Sequence, residues 1–454
     1  MTPRHRAAPQ EDPVLAAFVR AFRTPDLRKK LLFTLGIIVL FRLGSHVPTP
    51  GISYGLVQNG LEAGKAAGGS DQSGFLNLAN LFSGGALLQL SVFALGIMPY
   101  ITASIIIQLL RVVIPRFEAL KEEGQSGQSK LTQYTRYLTI GLAILQSATL
   151  VTFARNPSSL FGGSCSSIMN DQSLVTILIM VLTMTAGTGL IMWFGELITD
   201  KGVGNGMSLM IFTSIAAGFP ASLWAIKENK GWGTFLGILI LGVFVIAAVV
   251  FVEQSQRRIP VQYAKRMVGR RMYGGTSTYI PLKVNMAGVI PVIFASSLLA
   301  LPGLIAQFNT RADGNNPAWV QWVQDNLVRG DHPIYMAIYV ALILFFTFFY
   351  VSITFNPTEV AENMKKYGGF IPGIRAGRPT AEYLNYVLTR ITVPGAIYLA
   401  IVSLIPLVAL VLVGANQNFP FGGTSILIVV GVGLETVKQI EAQLQQRHYE
   451  GFLR

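Results

Sequence analysis

Charge is scarce in this chain. Of its 454 residues, 13% are charged and 51% hydrophobic, and the mean hydropathy is +0.50. Soluble domains carry about 25% charged residues, so these figures exclude a soluble globular protein and indicate an integral membrane protein. Cysteine is scarcer still. Cys165 stands alone, which excludes an intrachain disulfide framework and a cysteine-based metal cluster. The chain has no HExxH, GxSxG or phosphate-binding loop, and no aspartate inside a long apolar run. These absences weigh against an intramembrane protease and an ATPase. The want of a buried aspartate also weighs against a proton-coupled carrier. No catalytic residue, metal site or cofactor is expected. The first thirty residues lack an apolar core of signal-peptide type, so no cleaved targeting sequence is expected.

What is present is a series of apolar runs. Spans are predicted at 31–47, 86–110, 133–153, 173–198, 207–225, 233–252, 284–305, 333–355, 389–413 and 424–444. The fold class is therefore all-α and polytopic, with ten transmembrane helices. Before them, Leu15, Phe18, Val19 and Phe22 fall at helical spacing among Arg20 and Arg23, as in a helix lying on the membrane surface. Thr24-Pro25 reads as an N-cap and first-turn proline. Trp319, Trp322, Val323 and Leu327 form an apolar stripe, which predicts a short interfacial helix over 317–328. Lys and Arg number 28 on the side of the N-terminus against 6 on the other, which places both termini in the cytoplasm.

Ten spans divide five and five. An odd number per half makes the second half insert upside down, with the functional axis at the interface of the halves. The expected organisation is a cytoplasmic segment 1–30, an N-terminal half 31–225 and an external hinge loop 226–232. A C-terminal half, 233–444, and a cytoplasmic tail, 445–454, complete it. Two cytoplasmic loops, 253–283 and 356–388, are read as projecting. The first carries Arg257-Arg258, Lys265-Arg266 and Arg270-Arg271; the second carries Lys365-Lys366, Arg375 and Arg378. Topology and anionic lipid account for part of this charge. Acidic protein surfaces or RNA phosphate would suit the rest.

Residues 74–110 are the least ordinary stretch. Phe75 to Phe82 is far too short to span, Ser83-Gly84-Gly85 follows as a hinge, and then comes a run long enough to cross. Backbone that neither spans nor leaves the bilayer must be buried in protein or line a wet cavity. The short piece is read as a stopper and the long run as a wall. Arg42 and Glu196 stand within otherwise apolar spans, and snorkelling or a local contact is expected of each. A pore without buried charge seals by apolar constriction. Ile97 and Ile101 share a helical face, with Pro99 available to bend the helix between them. Spacing alone does not separate them from packed-core or lipid-facing isoleucines.

Several long motifs resemble the SecY family, the channel subunits of the bacterial protein-export translocase. They are SGGALLQLSVFALGIMPYITASIIIQLL (83–110), LITDKGVGNGMS (197–208), YAKRMVGRR (263–271), PLKVNMAGVIPVIFASS (281–297), FNPTEVAENMKKYGGFIPGIRAG (355–377) and FGGTSILIVV (421–430). The resemblance implies a clamshell of two inverted halves around an hourglass pore, with a plug helix at 73–83 hinged at Ser83, Gly84 and Gly85. It implies a pore ring of Ile97, Ile101, Met207, Ile211, Ile293 and Ile428, with Met207 where many members have isoleucine. It implies a lateral gate between spans 2/3 and 7/8, with polar residues Thr102, Gln146 and Asn285 as a latch. Arg270, Arg271 and Arg375 would contact the motor ATPase SecA and the ribosome. SecE, SecG, secretory preproteins with signal sequences, anionic lipid and accessory insertion and export factors are the other implied partners, and the bacterial plasma membrane is the implied location. The resulting expectation is a passive, gated protein-conducting channel; the rivals are an inverted-repeat secondary transporter and an ion channel.

Overall fold

The computed structural model describes residues 22–53, 55, 83–87, 89–155, 173–263, 266–268, 271–273, 277–308, 317–328, 332–413 and 423–450. The helices are α1 Pro25–Gly44, α2 Met98–Val113, α3 Pro115–Glu122, α4 Gln125–Arg155, α5 Leu174–Lys201 and α6 Gly206–Gln254, followed by α7 Ile290–Phe308, α8 Ala318–Val323, α9 Pro333–Thr354, α10 Pro357–Lys366, α11 Arg378–Val413 and α12 Gly423–Glu450. With α6 counted as two arms and the short α3, α8 and α10 set aside, the helices are consistent with ten spans.

The helix starts follow local chemistry. Thr24 stands at the N-cap of α1 with Pro25 behind it, Ser173 Oγ accepts from the Thr176 amide at the start of α5, and Asn205 Oδ1 accepts from the Met207 and Ser208 amides at the start of α6. The interfacial helix predicted over 317–328 is α8 continued by a π-helical turn, Gln324–Val328, with Val320 and Val323 buried and Trp319 and Trp322 exposed. The surface helix predicted near Leu15 lies outside the described residues.

Three expectations need correction. The second span is helical only from Met98. From Gly84 to Ile97 the described residues run through turns, and Leu90 sits at φ 47, the one non-glycine residue with positive φ among the described residues. Pro99 does not bend a helix; it lacks the amide that would reach back one turn, and it stands in the first turn of α2. The stretch 226–232 is not a loop. The helix runs through it and breaks only at Gly231, whose φ 81 and ψ 177 suit glycine alone. Across that break the Lys227 ammonium lies over the Trp224 ring at 3.8 Å and the Trp232 ring at 4.4 Å.

The third correction concerns the cytoplasmic loops. Residues 256–283 form strands: β1 Gln256–Tyr263, β2 Arg266–Val268, β3 Arg271–Tyr273 and β4 Ser277–Lys283. The second basic loop supplies β5, Gly369–Phe370, which pairs with β1 and makes a three-stranded sheet of order β4-β1-β5. Alternation explains it. Ile259 and Val261 point inward between exposed Arg258, Pro260 and Gln262, and they pack with Leu282, Met364, Ile371, Leu384 and Val387. The two loops therefore form one folded unit.

Candidate functional site

Six residues named from separate motifs meet in one place. Ile97, Ile211, Ile293 and Ile428 are buried members of a single hydrophobic cluster, and Ile101 and Met207 pack against it. The remainder of this cluster is also apolar, with Ile37, Phe41, Phe93, Ile191, Met210 and Ile215 among its members. Chain order alone does not join them; helix starts do. Ile97 caps α2, Met207 is the second residue of α6, Ile293 lies in the first turn of α7, and Ile428 lies in the second turn of α12. The Ile101 amide donates to the Ile97 carbonyl at 3.1 Å, so these two stand one turn apart.

The stretch leading into that cluster is buried yet not helical, so its polar groups need individual partners. The Thr49 amide and hydroxyl both donate to the Leu90 carbonyl, at 3.2 and 2.8 Å, and the Val92 amide donates to the Val47 carbonyl at 2.9 Å. Ser91 Oγ donates to the Ala86 carbonyl, and the Leu87 amide donates to Ser83 Oγ. Phe41 of α1 stacks on Phe93 with ring centres 5.9 Å apart. Of the plug residues expected at 73–83, only Ser83 lies among the described ones.

The two intramembrane charges are both engaged. Glu196 receives a bidentate ion pair from Arg136 of α4, with both bonds at 2.8 Å. Arg42 donates to the carbonyl of Gly84 at 2.8 Å. Neither arrangement is simple snorkelling.

The expected polar latch is not assembled. Thr102 donates to its own helix at the Met98 carbonyl, and Gln146 is half-buried on α4. Asn285 lies before α7 and donates to Glu253 Oε1 at 2.6 Å and to the Gly288 carbonyl at 3.1 Å. None of the three bonds another. What joins α2 to the C-terminal helices is apolar: Ile101, Ile105 and Leu109, spaced at one helical turn, belong to one hydrophobic cluster with Val292, Phe294, Ala295 and Leu299 of α7.

The link between sheet and α7 is tight. The Val284 amide donates to the Ser255 carbonyl at 3.0 Å. A Cβ on Gly395 of α11 would come 2.5 Å from the Val284 carbonyl oxygen, so only glycine fits there. Hydropathy gave no sign of this joint, and the partner of Asn285, Glu253, lies 32 residues away in the chain.

The basic face is exposed. Arg257, Arg258, Lys283, Lys365, Lys366, Arg375 and Arg378 are all open to solvent on the sheet unit or the segments beside it. Arg258 lies over the Tyr279 ring at 4.9 Å, and the Arg375 carbonyl accepts from Thr380 Oγ1 at 2.8 Å. Arg271 opens β3, opposite Val268, and Arg270 lies outside the described residues.

Comparison with known proteins agrees with this architecture. The profile of the SecY family matches residues 91–437. The protein translocase subunit SecY of Streptomyces galbus is 66% identical over 448 residues, covering 97% of this chain and all of that protein. Its counterpart from Streptomyces griseus is likewise 66% identical, with the same coverage. Among solved structures, a protein-conducting channel matches with TM-score 0.60 at 18% identity, over 91% of both chains. A study of the SecY plug domain, described as stabilising the closed channel and maintaining a membrane seal, supplies a match with TM-score 0.56 at 18% identity, and Sec61 from a canine ribosome-channel complex one with 0.58 at 16%, each over 91% of both chains. At such identities the structural likeness establishes the fold.

Proposed function

The chain belongs to the SecY family, and from that premise we propose that it forms the polypeptide-conducting pore of a bacterial Sec translocase in the plasma membrane. The chain is a channel subunit and not an enzyme. The observation that carries the pore assignment is the meeting of Ile97, Ile101, Met207, Ile211, Ile293 and Ile428 in one charge-free cluster at the starts of four helices. With both termini cytoplasmic, α2 and α12 enter this level from outside, and α6 and α7 from inside. That is the arrangement of an hourglass whose waist is apolar. Such a waist excludes ions by dewetting, and its flexible thioether at Met207 adapts to an irregular gap.

Segment 73–83 acts as the plug, turning on Ser83–Gly85. The lateral gate lies between α2/α4 and α7/α9, which places Thr102 and Gln146 on one side and Asn285 beneath the other. At rest the seam is closed by Ile101, Ile105 and Leu109. A hydrophobic signal sequence replaces these contacts with equivalent ones, so it opens the seam at little cost. The sheet unit, with Arg270, Arg271 and Arg375, receives SecA or the ribosome; SecE clasps the two halves and SecG lies at the periphery. Translocation energy comes from these partners or from the proton-motive force.

The test is crosslinking in native membranes. A stalled secretory chain is expected to crosslink to cysteines placed at Ile97 and Ile211, with Cys165 replaced by serine. Crosslinks confined to exposed positions such as Phe244 and Phe251 would overturn the pore assignment.

A further inference from the structure

Arg42 is a charged side chain inside the first span that the pore reading leaves without a task. It lies in the last turn of α1, half-buried, and its Nη1 donates to the Gly84 carbonyl at 2.8 Å across 42 residues of chain. An ionisable group placed at such depth marks a functional position by default, with its partner named. The partner here is a backbone carbonyl at the joint Ser83–Gly85.

A second, independent observation concerns the other side of that joint. Gly84 has φ +65, and a Cβ built on it would come 3.0 Å from Arg42 Nη1 and 3.2 Å from both Cα and the carbonyl oxygen of Ser214. Ser214 is buried on α6, three residues beyond Ile211, and its hydroxyl donates to the Met210 carbonyl. Gly84 is thus pinched between a guanidinium from α1 and the backbone of α6, one turn from the apolar waist. On its far side Ser83 Oγ accepts from the Leu87 amide at 3.1 Å, which fixes the turn that follows.

We infer that Arg42 is a positioning residue for the channel at rest: its guanidinium holds the Ser83–Gly85 joint, on which the proposed plug turns, against Ser214. The inference rests on the proposed plug reading and adds the element that holds the joint. The carbonyl of Gly84 is a neutral acceptor, so what it needs opposite is an N–H donor of sufficient reach, and a cationic donor makes the stronger bond. Glutamine is shorter and uncharged and loosens the joint, whereas lysine keeps the reach, the charge and part of the bond.

The experiment measures ion leak through the full complex in planar bilayers. Four channels are compared: the natural chain, Arg42→Gln, a deletion of 73–82 that keeps the joint, and the two changes combined. Arg42→Gln is expected to raise leak about tenfold, the order that one charge-assisted hydrogen bond supports. Arg42→Lys is expected to stay within about threefold of the natural chain. In the deletion background Arg42→Gln should add nothing. Equal increases in both backgrounds would show that Arg42 merely supports the scaffold and would overturn the inference while leaving the plug reading intact. A deletion that leaves leak unchanged would overturn the plug reading itself. Should Arg42→Gln fail to assemble, Arg42→Met, which has no donor, takes its place in both backgrounds, and a leak no different from that of the natural chain would overturn the inference.

Discussion

Residues 83–97 and residues 256–283 both interrupt a helical membrane protein, and they satisfy the same backbone groups by different means. The first stretch is enclosed by α1, α5 and α6, and its backbone carbonyls and amides are met one by one from elsewhere in the chain: Thr49 for Leu90, Val47 for Val92, Arg42 for Gly84. In the second, a ladder of strands pairs the backbone in register from Gln256↔Lys283 to Gln262↔Ser277. Buried irregular backbone depends on bespoke side chains, so its sensitivity to mutation lies in polar groups. A sheet pairs itself, so its sensitivity lies in the apolar side chains beneath it, Ile259 and Val261 above all.

Stability measurements can break this contrast. The largest effect is expected from Ile259→Asp, which puts a carboxylate among Val261, Leu282 and Leu384; a cost of about 3 kcal/mol or more follows from burying an unpaired charge. Urea titration of the purified complex would read it, together with loss of partner binding at the sheet. Next comes Thr49→Val, the same size without the hydroxyl, with an expected cost of about 1–2 kcal/mol for one buried hydrogen bond. Arg257→Ala, at an exposed position near the start of β1, should stay within about 0.5 kcal/mol. If Arg257→Ala matched Thr49→Val in its shift of the unfolding midpoint, the distinction between the two stretches would fail.

Hydropathy and charge bias made the ten helical segments legible, because burial in lipid imposes composition directly on sequence. The start of α2 was not legible in the same way. Apolar residues such as Leu87, Leu90 and Phe93 report that a stretch is buried, not that it is helical. Pro99 was read as a bend, and the turns before it make it part of a helix start instead. The reverse error occurred at 226–232, where Lys, Glu and Asn suggested a loop but the helix continues to Gly231. The sheet could have been read from the alternation Arg258, Ile259, Pro260, Val261, Gln262. Arg42 could not have been matched to its partner, since a backbone carbonyl has no signature in sequence. The apolar cluster around Ile97, Ile211, Ile293 and Ile428 was reached only through motif resemblance; spacing links Ile97 to Ile101 and goes no further.

Gly231 has a mechanical consequence. The arm from Gly231 to Gln254 has 24 residues, a rod of about 36 Å at the rise of an α-helix. A turn of about 10° at that single pair of torsions would carry the far end through roughly 6 Å, a displacement on the scale of one helical turn. That far end carries Glu253, which is bonded to Asn285 ahead of α7. Leverage at one glycine would therefore arrive, amplified by length alone, at the foot of the neighbouring helix.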